Sequence, residues 1–124
     1  MQKVIFDSSF LISVVERPTT WFEDIVDGIG RFQPILLDCV RVELEGLASG
    51  QGRRARSARA ALELAAKFAV AGCGGASVDA EIESSALTTG ALVATTDSEL
   101  SRSLRGVHVK VVTLRSGRVS LGQA

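Results

Sequence analysis

Val4-Ile5-Phe6-Asp7-Ser8-Ser9-Phe10-Leu11-Ile12 is a segment in which three apolar residues lead directly into a carboxylate and two hydroxyls. Its first three residues form an apolar run without alternation, which is typical of a strand covered on both faces in a parallel sheet. Ligands of such sheets bind at the carboxyl ends of the strands. The segment therefore predicts that Asp7 lies at a binding edge, where other functional groups should join it.

The composition is that of a globular protein. The chain has 124 residues, of which 46% are hydrophobic and two are proline, so we expect a single domain over residues 1–124 with a packed core. No apolar run approaches the ~20 residues of a membrane-spanning helix, and the first three residues do not resemble a signal sequence. These features predict a cytoplasmic protein with no membrane partner.

Carboxylates are the main candidates for reactive side chains in this sequence, because histidine and cysteine are scarce. His108 is the only histidine, which argues against most triads and multi-histidine metal sites, and its strand-like surroundings at 107–112 predict a structural role. Cys39 and Cys73 have no partner at zinc-ligand spacing, so we interpret them as small buried thiols. The 14 basic and 14 acidic residues balance, so any affinity for nucleic acid requires a local patch.

Strand and helix patterns alternate along the chain. Apolar β-forming runs predict strands at 4–6, 35–37, 91–95 and 109–114, with a short one at 76–78. Helical periodicity and stop signals predict helices at 9–15, 20–27, 38–48, 53–71, 79–89 and 97–104. We expect Asp38 to be an N-cap, and Thr20 and Thr96 to open capping boxes. This order predicts an α/β protein with three α/β/α layers and a central, mostly parallel sheet.

Two helical carboxylates fall on or beside apolar faces. Glu43 lies at the edge of the apolar face of helix 38–48, where a carboxylate is costly unless it is paired, protonated or bound to a metal. Asp79 falls within the apolar face of helix 79–89, with Glu83 one turn later as a supporting or salt-bridging group. An acid in the first turn also favours the helix dipole, so that interpretation of Asp79 stays open.

Four acids are predicted to converge at one rim of the sheet. Asp97 directly follows strand 91–95, as Asp7 follows strand 4–6, and crossover connections can bring Glu43 and Asp79 to the same edge. Carboxylates crowded in this way repel one another and take up protons unless cations neutralise them. Hard divalent ions, Mg²⁺ or Mn²⁺, are the expected solution.

The basic residues concentrate in one segment. Residues 53–67 carry five basic residues against one acid, Glu63; the basic ones are Arg53, Arg54, Arg56, Arg59 and Lys67. One interpretation is a solvated helix face. The other is a ridge that contacts the phosphates of a nucleic acid near the acidic site.

Four segments, in this order and spacing, resemble the PIN domain, the fold of a large group of metal-dependent ribonucleases. They are Phe6 to Ile12, Val42-Glu43-Leu44, Asp79-x-x-Ile82-x-x-x-Ala86 and Val93 to Leu100. The resemblance implies hydrolysis of single-stranded or structured RNA with Mg²⁺ or Mn²⁺. It implies catalytic, metal-binding roles for Asp7, Glu43, Asp79 and Asp97 and supporting roles for Ser9 and Thr95. The basic residues implied to hold RNA are Arg53, Arg54, Arg56, Arg59, Arg102 and Arg105.

Within that family, the segment from Thr95 to Gly117 resembles archaeal proteins related to ribosomal-RNA processing factors. This implies rRNA processing in a pre-ribosomal particle. The alternative is a VapC-type toxin ribonuclease, which would bind an antitoxin peptide in a hydrophobic groove. Two other classes stay open: a non-catalytic PIN scaffold that binds RNA or protein, and a phosphatase-like domain with Asp7 as nucleophile. The apolar helix 20–29 is a candidate homodimer surface.

Overall fold

One twisted sheet organises the chain in the computed structural model, which describes residues 1–17 and 19–121. Its strands are β1 (Gln2–Phe6), β2 (Phe32–Leu37), β3 (Ala69–Ala71), β4 (Leu92–Ala94), β5 (Val111–Arg115) and β6 (Arg118–Leu121). Their spatial order is β3-β2-β1-β4-β5-β6. All neighbours pair in parallel except β5 and β6, which are antiparallel. The prediction of a central, mostly parallel sheet is confirmed.

Helices cover both faces of this sheet. They are α1 (Ser8–Glu16), α2 (Trp21–Ile29), α3 (Asp38–Ala48), α4 (Arg53–Leu64), α5 (Val78–Thr89) and α6 (Ser98–Gly106). Helices α1, α3 and α4 pack together, whereas α5 packs on β1 and β4, and α6 packs on β5. Right-handed crossovers put these two groups on opposite faces, because the chain reverses its direction across the sheet after β3. None of the helices described is long and apolar enough to cross a membrane.

The reversal places a topological switch point between β1 and β4. From β1 the chain proceeds outward to β2 and β3, then returns to β4 on the other side of β1. The crevice at the carboxyl ends of two such strands is the usual ligand site of open α/β sheets. Asp7 follows β1 and Asp97 follows β4 at this crevice.

Phe6, the residue before Asp7, is fully buried in an aromatic cluster. Its ring centroid lies 5.5 Å from those of Phe10 and Trp21 and 5.1 Å from that of Phe68. These distances are those of favourable aromatic pairs, ~4.5–7 Å. Because α1, α2 and the segment before β3 each contribute a ring, the end of β1 is held from three sides.

Two predicted elements are wrong. Helix α4 ends at Leu64 rather than near residue 71, because residues 69–71 form β3 and pair with β2. Alanine favours helix, but strand pairing in the folded protein overrides that local preference. Residues 76–78 are not a strand, since Ser77 is the N-cap of α5 and its hydroxyl accepts a hydrogen bond from the Ala80 N–H at 3.2 Å.

Two predicted helix caps also differ. Thr20 precedes α2, but its hydroxyl donates to Asp24 Oδ1 at 3.1 Å instead of accepting from the backbone. Asp38 is the first residue of α3 rather than its N-cap, and its carboxylate accepts a hydrogen bond from Arg41 Nε at 3.1 Å. In both places the side chain bonds to another side chain within one helical turn, and not to the backbone N–H that a cap would bind.

The histidine and the cysteines depart from expectation as well. His108 lies in the turn before β5 with a φ of 65°, not in a strand. Cys39 and Cys73 are joined by a disulfide, with Cα atoms 6.0 Å apart, so their interpretation as free thiols is wrong. The bond ties the first turn of α3 to the segment after β3, and such a cross-link restricts the unfolded chain.

Candidate acidic site

Asp7 is a buried carboxylate at the end of β1, with only 6% of the residue exposed. Its Oδ2 accepts hydrogen bonds from Ser9 Oγ at 2.6 Å and from Thr95 Oγ1 at 2.7 Å. Its N–H donates to the Ala94 carbonyl at 2.9 Å, which continues the pairing of β1 with β4. Charge-assisted hydrogen bonds of this kind offset part of the cost of burying a carboxylate.

The same two hydroxyls hold the loop between β4 and α6. Ser9 Oγ accepts from the Thr96 N–H at 3.0 Å, and Thr95 Oγ1 accepts from the Asp97 N–H at 3.0 Å. A hydroxyl has one proton to donate and lone pairs to accept with, so each can bond Asp7 and a backbone N–H at once. The network fixes Asp7 relative to Asp97.

Asp97 is the N-cap of α6, a position that the sequence assigned to Thr96. Asp97 Oδ1 accepts hydrogen bonds from the N–H groups of Glu99 and Leu100 at 2.9 and 3.1 Å. Its other oxygen, Oδ2, takes part in no hydrogen bond within residues 1–17 and 19–121. Capping therefore orients this exposed carboxylate and leaves one oxygen for a ligand.

Glu43 reaches the site from the exposed side of α3. The helix buries Val40 and Leu44, while Glu43 itself is exposed, so it lies outside the apolar face. Its Oε1 accepts a hydrogen bond from Ser8 Oγ at 2.7 Å. Ser8 follows Asp7, and this contact brings Glu43 to the turn that carries Asp7. The sequence offered no signal for Ser8 beyond its adjacency to Asp7.

Asp79 lies in the first turn of α5, exposed rather than within the buried face of that helix. Partial desolvation raises the pKa of its carboxyl, and repulsion by neighbouring carboxylates raises the pKa further. Those carboxylates are Asp7, Asp97, Glu43 and Glu99. The charges of the other three predicted acids are therefore among those that act on Asp79.

Glu83 and Glu99 extend the acidic site along α5 and α6. A pocket of about 360 Å³ lies between these helices, lined by Asp79, Glu83, Glu99 and Ser103 among others. Glu83 Oε1 accepts a hydrogen bond from Ser103 Oγ at 3.1 Å. In the capping box expected to open at Thr96, Glu99 is the acidic residue three positions later, which is a structural role. Its position two residues after Asp97 was the one indication in the sequence that it lies near the acidic site.

The acids fit a hydrated divalent cation better than one enclosed by side chains. Within the described part of the chain, no group of three or more His, Cys, Asp or Glu side chains could hold an ion directly. Mg²⁺, however, usually keeps several waters and contacts a protein through one or two carboxylates. Such a cation would neutralise the repulsion between carboxylates that raises the pKa of Asp79.

The predicted RNA-binding arginines occupy two separate surfaces. On α4, Arg59 donates to the Ala48 carbonyl at the end of α3, at 2.7 Å. The other α4 arginines are exposed: Arg53, Arg54 and Arg56. Arg102 and Arg105 lie on α6, across the sheet from α4, and line a pocket that includes both chain neighbours of Asp97.

Comparison with protein families identifies this fold. Residues 4–117 match the family described as the PIN-like domain. The chain belongs to the PIN-like domain family. This match confirms the resemblance seen in the sequence over nearly the whole chain. No curated protein matches it significantly.

Solved structures share the three-layer fold of this PIN-like domain. The PIN domain endonuclease Utp24 superposes with a TM-score of 0.81 at 25% identity, covering 98% of this chain and 92% of that chain. A domain of a functionally unknown protein from Methanocaldococcus jannaschii gives 0.60 at 18% identity, covering 100% and 99%. PAE2754 from Pyrobaculum aerophilum gives 0.56 at 18% identity, covering 85% and 81%. The last two show the fold alone.

Proposed function

We propose that this PIN-like domain is a metal-dependent endoribonuclease. The observation that carries the proposal is the set of hydrogen bonds that holds acids at the carboxyl edge of the sheet. Thr95 bonds both Asp7 and the Asp97 N–H, and Ser8, next to Asp7, bonds Glu43. Asp79 lies within the electrostatic influence of these acids. Family membership and the likeness to a PIN domain endonuclease support a nuclease function. The proposed cofactor is Mg²⁺ or Mn²⁺, because the donors are hard carboxylate oxygens.

The acids divide the work according to their surroundings. The hydrated cation would be held, in part through its water ligands, by Asp7, Glu43, Asp79 and Asp97. Asp97 offers Oδ2, and Asp7 is oriented by its two hydroxyl donors. A bound divalent cation would supply Lewis acidity, which activates water and stabilises charge on the phosphate being cleaved.

The proposed substrate is RNA, and the proposed target is a ribosomal-RNA precursor in a pre-ribosomal particle. This target rests on the resemblance of residues 95–117 to archaeal processing factors. The alternative is a VapC-type toxin, which predicts a tight complex with a small antitoxin encoded beside it. Dimerisation through α2, where Phe22 is 45% exposed, stays a prediction that sedimentation at high concentration tests.

Cleavage of a labelled structured RNA pool with Mn²⁺ tests the proposed activity. Asp97→Asn removes a charge but keeps the Oδ1 acceptor that caps α6, since asparagine is also a good N-cap. We expect this variant to cleave roughly 100-fold more slowly or worse, and EDTA to abolish cleavage by the wild type. Glu45→Gln is the matched control, because Glu45 pairs with Arg41 on the same helix as Glu43.

Two results would contradict this function. Equal cleavage by wild type and Asp97→Asn would place the activity outside the acidic site or in a contaminant. Binding of RNA without cleavage, under every divalent cation and on pre-ribosomal particles as well as free RNA, would favour the non-catalytic scaffold.

A further inference from the structure

A second pocket lies beside the acidic site and is lined by basic and hydroxyl groups. Its volume is about 320 Å³, at the lower end of the ~300–1,000 Å³ of ligand pockets. The loop before α6, the helix α6 and the end of β5 form its walls. The polar residues that matter here are Thr96, Ser98, Arg102, Arg105, Thr113 and Arg115. No acidic residue lines it, so the pocket is positively charged.

No hydrogen-bond acceptor for the arginines of this pocket is found among residues 1–17 and 19–121. Arg105 is half-buried, and its Nε is buried without a hydrogen-bond partner among the described residues. A buried donor left unpaired in this way is unfavourable, and more so when it is charged. Arg102 and Arg115 are exposed, and neither takes part in an ion pair within residues 1–17 and 19–121. The exposed guanidinium groups of Arg102 and Arg115 are therefore open to an anion, and Arg105 adds its positive charge beside them.

The β5–β6 hairpin adds to the same positive surface. Thr113 and Arg115 are two residues apart in a strand, so their side chains point to the same face of the sheet. Arg115 pairs directly with Arg118 on β6, and cross-strand partners share a face. Arg118 therefore extends the basic surface outward from the pocket.

One backbone segment separates this pocket from the acids. Thr96 and Ser98 line the pocket and flank Asp97 in the chain. The Thr96 N–H is bonded to Ser9 Oγ, which donates to Asp7. A smaller pocket of about 240 Å³ continues on the other side of Thr96, with Arg17 in its lining. An RNA strand that crosses the acidic site would thus meet arginine side chains next to it.

We propose that Arg102, Arg105 and Arg115, here named the arginine pocket, bind a backbone phosphate of the RNA strand next to the phosphodiester that is cleaved. This inference rests on the proposed function and adds a subsite to it. Guanidinium groups match phosphate oxygens in planar, often bidentate contacts, and the hydroxyls of Ser98 and Thr113 can donate beside them. Holding the flanking phosphate would add binding energy for the strand without contact to the reacting atoms.

Exposed arginines allow a test that leaves the core intact. The double variant Arg102→Gln/Arg115→Gln changes two exposed residues. Arg31→Gln is the control, because Arg31 is exposed just before β2, at the amino-terminal ends of the parallel strands and thus on the side of the sheet away from the acids. Fluorescence anisotropy with labelled single-stranded RNA in EDTA measures binding without cleavage. We expect roughly ten-fold weaker binding for the double variant and wild-type binding for the control.

Salt dependence and kinetics sharpen this test. Loss of one phosphate contact lowers the slope of log affinity against log salt by ~0.7 for a single strand. With Mn²⁺ and a cleavable RNA, the double variant should show a raised KM and an unchanged kcat, since the arginines contact the substrate away from the reacting atoms. A general structural defect would lower kcat as well.

A scan of the RNA identifies the phosphate that is held. A neutral methylphosphonate is placed at one position at a time, and the wild type should lose roughly ten-fold in affinity at a position flanking the cleaved bond. The double variant should be insensitive at that same position, because the contact is already lost. Arg105→Lys, which keeps the charge but not the planar donors, should give an intermediate loss.

The outcomes separate this inference from the proposed function. If the double variant binds and cleaves RNA like the wild type, the arginine pocket is overturned and the nuclease stands. The same holds if methylphosphonates weaken both proteins equally at every position. If RNA binds through the arginine pocket but no cation supports cleavage, the pocket stands and the nuclease falls.

Discussion

Asp7 and Asp79 belong to one acidic site but have opposite surroundings. Asp7 is 6% exposed and accepts two hydroxyl hydrogen bonds. Asp79 is exposed and accepts no hydrogen bond within the described residues, while desolvation and four neighbouring carboxylates raise the pKa of its carboxyl. Hydrogen bonds from the chain itself therefore stabilise the Asp7 carboxylate. In the proposed function, the charge on Asp79 is stabilised by a cation.

The largest expected effect is the loss of Asp7. Asp7→Ala leaves Ser9 and Thr95 without their acceptor in a buried place and opens a cavity. We expect the free energy of unfolding to fall by about 2–3 kcal/mol, measured by urea denaturation in EDTA. Asp79→Ala is the comparison, and it should cause no loss. Equal losses in the two variants would remove the contrast between these acids.

Removing a hydroxyl donor weakens the same network from the other side. Thr95 is fully buried, donates to Asp7 and accepts from the Asp97 N–H. Thr95→Val keeps the shape and should lower the free energy of unfolding by about 1–2 kcal/mol, with slower cleavage because Asp97 is less well placed. Thr88→Val, an exposed change on α5, controls for the substitution. An unchanged stability in Thr95→Val would mean that the network is not stabilising.

Substitution of Asp79 should act with the opposite sign. Asp79→Asn removes repulsion, so we expect a slightly raised melting temperature in EDTA, together with loss of cleavage. The free energy of unfolding should rise by at most about 1 kcal/mol, because the residue is exposed. Glu81 is the control in the same turn of the helix. It accepts hydrogen bonds from the Gly74 and Ala76 N–H groups, which lower its pKa, so Glu81→Gln should lower the melting temperature.

The pH dependence follows from the same contrast and is the smallest effect. The pKa of Asp79 is raised in the folded state above its ordinary value of 3.8, so the folded protein binds this proton more tightly than the unfolded chain. The contribution of Asp79 to stability is thus greatest below 3.8 and declines as the pH rises through the raised pKa. Urea denaturation of the wild type minus that of Asp79→Asn should show this decline in EDTA. A difference that rises with pH would contradict it.

The sequence predicted the parts of the fold that depend on local pattern. The end of β1 at Asp7, the strand before Asp97 and the helices that carry Glu43 and Asp79 all follow from hydrophobic runs and helix signals near each residue. The parallel sheet then follows from their alternation. The family resemblance supplied the common site, which no single motif contained.

Features that depend on distant partners were not predictable in this way. β3 is a strand only because β2 pairs with it, and the disulfide needs Cys39 and Cys73 to meet across 34 residues. The contact of Ser8 with Glu43 joins two helices. Arg115 enters its pocket from a segment whose sequence indicates only a strand end and a turn. Each of these features depends on residues that are distant in sequence and meet only in the folded protein.

Titration of Asp79 with and without Mg²⁺ shows whether a divalent cation binds at these acids. Carbon-13 NMR of the side-chain carboxyl of Asp79, assigned with Asp79→Asn, gives its pKa in EDTA and at saturating Mg²⁺. We predict a raised pKa in EDTA and a marked fall on adding Mg²⁺, because a nearby cation favours the charged form. A pKa that Mg²⁺ leaves unchanged would contradict a cation site at these acids.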